Sequence, residues 1–91
     1  MFRRAEILVR GVVQGVYFRY TTKRKADEFN VKGLVRNLSD GGVQVICEGA
    51  EEDIARLVEW CRKGPAGAVV EAVDVVWGTH KGEFTDFRIA H

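Results

Sequence analysis

Between Val12 and Arg19 the sequence reads Val-Val-Gln-Gly-Val-Tyr-Phe-Arg: the apolar end of a strand, a bend carrying Gly15, and an arginine where a helix opens. Those residue types suit a phosphate cradle. A bend that runs into the first turn of a helix leaves backbone N–H groups without internal partners, and the positive end of the helix dipole lies behind them. The candidate donors are the N–H groups of Gln14, Gly15, Val16, Tyr17 and Phe18. Arg19 adds a planar, permanently charged fork that matches two oxygens of one phosphate. A second loop, Asn37-Leu38-Ser39-Asp40-Gly41, is the other candidate for chemistry. Taken singly, each loop also has an ordinary reading. The first is then a strand-to-helix turn with a surface arginine, and the second a hairpin whose asparagine caps a strand or bonds its own turn.

Two periodicities place these loops. Ala5 to Val13 alternates, with Ile7 and Val9 on one face and Glu6 and Arg10 on the other, which predicts a strand with one buried side. Phe18, Thr22, Ala26 and Phe29 recur at helical spacing while Lys23, Arg24, Lys25, Asp27 and Glu28 face outward, and Asn30 and Gly33 end that helix. Gly33 to Leu38 and Val43 to Glu48 read as an antiparallel pair joined by the turn residues Ser39-Asp40-Gly41-Gly42. Arg36 then points away from Asn37, and Cys47 shares the face of Val43 and Val45. The stripe Ile54, Leu57, Val58 and Cys61 predicts a second helix, with Glu51, Glu52 and Asp53 at its start and Arg62 and Lys63 at its end. Gly64-Pro65 closes it. Ala68 to Trp77 reads as a fourth strand, and Phe84 to Ile89 as a short edge strand. The order βαββαβ with right-handed crossovers predicts an α+β, ferredoxin-like sandwich: a mostly antiparallel sheet of four or five strands with two helices on one face.

Ninety-one residues form one domain, expected over residues 1–91, because a second core could not be built from what remains. A net charge of +1 gives no general attraction to nucleic acid or to an anionic membrane, so any anion site is local. Glu6 and Arg10 interrupt the only early apolar stretch, and no run approaches a membrane span. A cytoplasmic monomer is the expectation. Cys47 and Cys61 lack the spacing of a metal knuckle and read as packing residues, as do Trp60 and Trp77. His80 and His91 are isolated, so neither metal nor cofactor is expected.

Together the two loops and their flanks resemble the acylphosphatase family. Val9-x-Gly11-x-Val13-Gln14-Gly15-Val16-x-Phe18-Arg19 is similar to that family's phosphate-loop signature, and Gly33-Leu34-Val35-Arg36-Asn37-x-x-x-Gly41-x-Val43-x-x-x-x-x-Gly49 to its second. The resemblance extends through Gly64-Pro65-Ala66 to Phe87-x-Ile89. Leu38 stands where many relatives carry a threonine, Leu34 where an aromatic is common, and His91 where a terminal tyrosine is frequent.

The resemblance implies hydrolysis of a carboxyl–phosphate bond, with Arg19 holding the phosphate and Asn37 positioning the attacking water. The residues are consistent with this. Val13 occupies the place a phosphatase of the cysteine type needs for its thiolate, and Gly15 is followed by Val16-Tyr17 rather than the Lys-Ser or Lys-Thr of an NTPase loop. With neither metal nor an evident general acid, expelling an alkoxide would be difficult. The carboxylate of an acyl phosphate, with a conjugate acid of pKa about 4, leaves unprotonated at neutral pH. Backbone N–H groups and one arginine supply the charge stabilisation that phosphoryl transfer needs, and a neutral asparagine orients water without acting as a base. Two other classes share the topology. Lys32-Gly33-Leu34-Val35 faintly resembles part of an RNA-recognition signature, but the stacking aromatics are missing from both strands. A non-catalytic phosphate-binding unit, like the acylphosphatase-like domain of hydrogenase maturation proteins, is the third reading.

Overall fold

The computed structural model describes all of residues 1–91. Strand β1 (Phe2–Val12), helix α1 (Phe18–Glu28), strands β2 (Lys32–Asn37) and β3 (Val43–Ala50), helix α2 (Glu51–Lys63), and strands β4 (Val69–Thr79) and β5 (Phe87–Ile89) follow in that order. The βαββαβ succession expected from the sequence is present, with β5 added at an edge. The strands form one sheet ordered β4-β1-β3-β2-β5, antiparallel except where β5 runs alongside β2.

Alternation along the central strands puts Ala5, Ile7 and Val9 of β1 beside Val43, Val45 and Cys47 of β3 and Val35 of β2, all buried on one face. Both helices pack there, α1 over β2 and β5, and α2 over β4, β1 and β3. They contribute Phe18, Thr22 and Ala26 from α1 and Ile54, Leu57, Val58 and Cys61 from α2. Phe18 lies 5.3 Å from the Trp60 ring and joins the two helices. Burial pushes the Cys47 and Cys61 thiols up to about 12, so neither supplies a nucleophile at neutral pH. No helix covers the other face of the sheet. There Arg36 donates to Gln44 (2.6 Å), which in turn donates to the Glu6 carboxylate, so Arg36 does point away from Asn37.

The largest boundary differences from the sequence reading, three residues each, fall at one end of the sheet. β1 begins at Phe2 rather than Ala5, and β5 begins at Phe87 rather than Phe84. The early residues are held by contacts across strands: Phe2 meets His80 edge-on, and the Arg3 guanidinium lies 4.9 Å over Trp77. Arg4 reaches Glu48 on the neighbouring strand and lies over Phe84. The connection from β4 to β5 crosses the sheet at this end, tied down by the Lys81 and Glu83 N–H groups, which donate to the Glu48 carboxylate at 2.7 and 3.0 Å.

Glu48 is only 2% exposed. Burial alone would raise its carboxyl, but the two N–H donors, Arg4 and His80 outweigh it and hold the group below its ordinary value of 4.5. A depressed folded-state value means that the stabilisation is complete above the unfolded value and is lost as the pH falls through the folded one. Glu48→Gln is therefore expected to cost on the order of 1 to 3 kcal/mol at pH 7, by weakening bonds to a buried charge. Urea unfolding between pH 3 and 7 checks this: the variant's stability should fall less steeply below about pH 4.5 than the parent's.

At the opposite end of the sheet β1 bulges. Its register against β4 shifts between Arg10 and Gly11, where φ is +133° and a Cβ would stand 2.1 Å from the Val69 carbonyl oxygen. Only glycine fits that approach. A bulge bends its strand, and this one immediately precedes the loop that enters α1.

Candidate active site

β1 ends at Val12, Val13 is buried, and the chain turns from Gln14 to Tyr17 with Gly15 at φ +76° and Tyr17 at φ +61°. Left-handed residues spaced this way curl neighbouring N–H groups toward a common side, the geometry of an anion nest. None of the N–H groups from Val13 to Tyr17 donates to a backbone carbonyl, and the first bond of α1 runs from Thr21 N–H to the Tyr17 carbonyl at 3.0 Å. No side chain caps α1, and its first turn holds no acidic residue. The positive end of its dipole is uncompensated.

Arg19 lies in that first turn, half-buried, and takes part in none of the ion pairs of the chain. Asn37 is the last residue of β2, opposite Val43, and the side-chain hydrogen bonds around it run between other groups. A cavity of about 420 Å³ brings the two together, with Gly15, Tyr17 and Phe18 in its wall. Val13, Tyr20, Ile89 and His91 complete it. An anion entering this space meets free N–H groups, an unpaired guanidinium and a free carboxamide.

Gln14 and Val16 of the predicted donor set keep unbonded N–H groups but turn their side chains elsewhere. Val16 packs against the core. The Gln14 carboxamide crosses to the β2–β3 hairpin and donates to the carbonyls of Leu38 (2.7 Å) and Gly42 (2.8 Å). Sequence reasoning missed this bridge, since a glutamine at a strand end carries no signal of where its amide will reach. The hairpin is further set by Leu38 N–H to the Gly42 carbonyl (2.8 Å), and by Asp40, which accepts from Gly42 N–H (2.9 Å) and Arg10 (2.7 Å). The Gly42 N–H and then the Arg10 guanidinium hold the Asp40 carboxyl below the ordinary carboxylate range. Main-chain bonds on either side of Leu38 thus fix the position next to Asn37, where many relatives of the resembled family carry a hydroxyl. Tyr20, Ile89 and His91 were also missed as wall residues. Tyr20 adjoins Arg19 in sequence, which was a usable signal, whereas Ile89 and His91 arrive only through the pairing of β5 with β2.

The acylphosphatase family model matches residues 5–89, which takes in both loops, both helices, β1 from Ala5 onward and the other four strands whole. The chain belongs to the acylphosphatase family. An acylphosphatase from Geotalea uraniireducens is 50% identical over 88 residues, covering 97% of each chain. An acylphosphatase from Syntrophus aciditrophicus is 46% identical over 91 residues, covering 100% of this chain and 95% of the relative. The crystal structure of acylphosphatase from Bacillus subtilis superposes with a TM-score of 0.94 at 32% identity and covers each chain completely. The acylphosphatase resemblance read from the two loops thus extends to the full length of both chains and to the fold.

Proposed function

We infer that this protein hydrolyses the carboxyl–phosphate bond of small acyl phosphates, yielding a carboxylate and inorganic phosphate by direct attack of water. Membership of the acylphosphatase family and the similarity to full-length acylphosphatases support the reaction. The observation that carries the assignment of residues is the meeting, in one cavity, of unbonded loop N–H groups with the unpartnered side chains of Arg19 and Asn37.

The substrate phosphoryl group sits in the cradle, with the N–H groups of Gln14, Gly15, Val16, Tyr17 and Phe18 and the Arg19 fork on its oxygens. These donors face the charge that is redistributed over the equatorial oxygens in a loose transition state. The Asn37 carboxamide accepts from the attacking water through its oxygen and steadies a neighbouring group through its NH₂, placing the water in line with the departing carboxylate. The carboxylate leaves without a proton, so no general acid is required.

The same reading makes residues 1–91 a single acylphosphatase-like domain acting as a cytoplasmic monomer without nucleic-acid or membrane partners. In support, no helix is long and apolar enough to cross a membrane, the net charge is +1, and one sheet runs from Phe2 to Ile89.

Release of phosphate from benzoyl phosphate in the presence of a chelator tests the reaction. Turnover is expected under those conditions, and a requirement for added metal would overturn direct attack. The Gln14 bridge is expected to matter for both stability and rate. Gln14→Leu removes one of the two donors from each carbonyl, Leu38 keeping the Gly41 N–H and Gly42 the Leu38 N–H, at a cost of about 1 to 2 kcal/mol in urea unfolding for the two lost bonds. It also frees the hairpin that ends in Asn37, so turnover of benzoyl phosphate should fall by roughly 10- to 100-fold, as expected for a misplaced positioning group.

A further inference from the structure

Every Phe and Trp ring of this chain is buried or is met by another ring or by a cation. The two tyrosines are exceptions. Tyr17 is 81% exposed and Tyr20 is 56% exposed, neither ring has such a neighbour, and both residues line the cavity that holds Arg19 and Asn37. Tyr17 in addition occupies a left-handed backbone conformation, which costs on the order of 1 kcal/mol or more for a residue with a Cβ. Folding gains little from either ring.

Substrate geometry gives them an occupant. The acyl carbon of an acyl phosphate is one bridging oxygen from phosphorus, so a phosphoryl group seated on Arg19 leaves the acyl substituent at the mouth of the cavity. Of about 420 Å³, the phosphoryl group takes a small part, and a dry space of roughly 150 Å³ suffices for a benzene ring. Ile89 supplies an apolar surface on the other strand-borne wall.

We propose that Tyr20 and Tyr17, together with Ile89, form an acyl-binding wall that selects acyl phosphates with aromatic or extended apolar acyl groups over acetyl phosphate. The proposal rests on the acyl phosphate reading of the site and adds its substrate class.

The test compares kcat/KM for benzoyl phosphate and acetyl phosphate in the parent, Tyr20→Ala, Tyr20→Phe and Tyr17→Asn, the last chosen because asparagine tolerates the left-handed backbone. The benzoyl-to-acetyl ratio is expected to fall about tenfold in Tyr20→Ala and in Tyr17→Asn, the scale of lost apolar contact in a specificity pocket. Tyr20→Phe should keep the ratio, since the ring rather than the hydroxyl makes the contact. A purely structural effect would lower both rates together and leave the ratio where it was. A ratio within about twofold of the parent in both Tyr20→Ala and Tyr17→Asn would overturn the wall while leaving the hydrolase reading intact. Parent protein that hydrolyses neither compound would overturn that reading, and the wall with it.

Discussion

Arg19→Ala is expected to weaken inhibition by inorganic phosphate by about 2 to 3 kcal/mol, roughly 30- to 150-fold, the range for hydrogen bonds to a charged group. The loss in kcat/KM should be larger, on the order of 1,000-fold, because in the proposed mechanism the guanidinium also meets charge that develops only during transfer. Arg19 has no ion-pair partner within the chain, so its removal leaves no orphaned charge behind. Thermal or urea unfolding of the variant should therefore stay within about 0.5 kcal/mol of the parent, which separates lost binding from lost fold. Arg19→Lys restores the charge but not the bidentate fork, and should recover only part of the affinity. Phosphate inhibition as strong in the alanine variant as in the parent would remove Arg19 from the phosphate site.

Asn37→Ala should show the opposite kinetic pattern. The proposed phosphate cradle lies on the β1–α1 loop and is untouched, so KM should change by no more than about threefold while kcat falls by on the order of 100-fold or more. That pattern would assign binding energy and chemistry to different loops. A rise in KM with kcat preserved would make Asn37 a binding group instead.

Much of this arrangement was legible in the sequence because its causes are local. The alternation around Ile7 and Val9, the stripe Ile54-Leu57-Val58-Cys61 and the turn residues after Leu38 each fix one element through side-chain direction or backbone freedom. The cradle was legible for the same reason: consecutive residues build it, and Gly15 and Arg19 are chemically distinctive. What could not be read lies between segments. Glu48 reads as one more strand residue until Arg4, Lys81 and Glu83 converge on it. Phe84 reads as strand, yet its ring lies under Arg4 while the chain crosses to β5. The reach of Gln14 to Leu38 and Gly42 depends on register and bulge together, and neither is written in a residue type.

The sheet order has a kinetic corollary. β3 lies between β1 and β2, so the cradle and the hairpin, joined by Gln14 across 24 and 28 residues of chain, meet only after a later strand has inserted between the two that carry them. A nascent or partly unfolded chain with β1, α1 and β2 in place still lacks Asn37 beside the β1–α1 loop. The entropy of closing that loop is offset only when β3 pairs on both sides. Catalysis therefore begins in step with completion of the sheet, and the return of hydrolysis after dilution from urea should coincide with the slowest recovery of native structure rather than precede it.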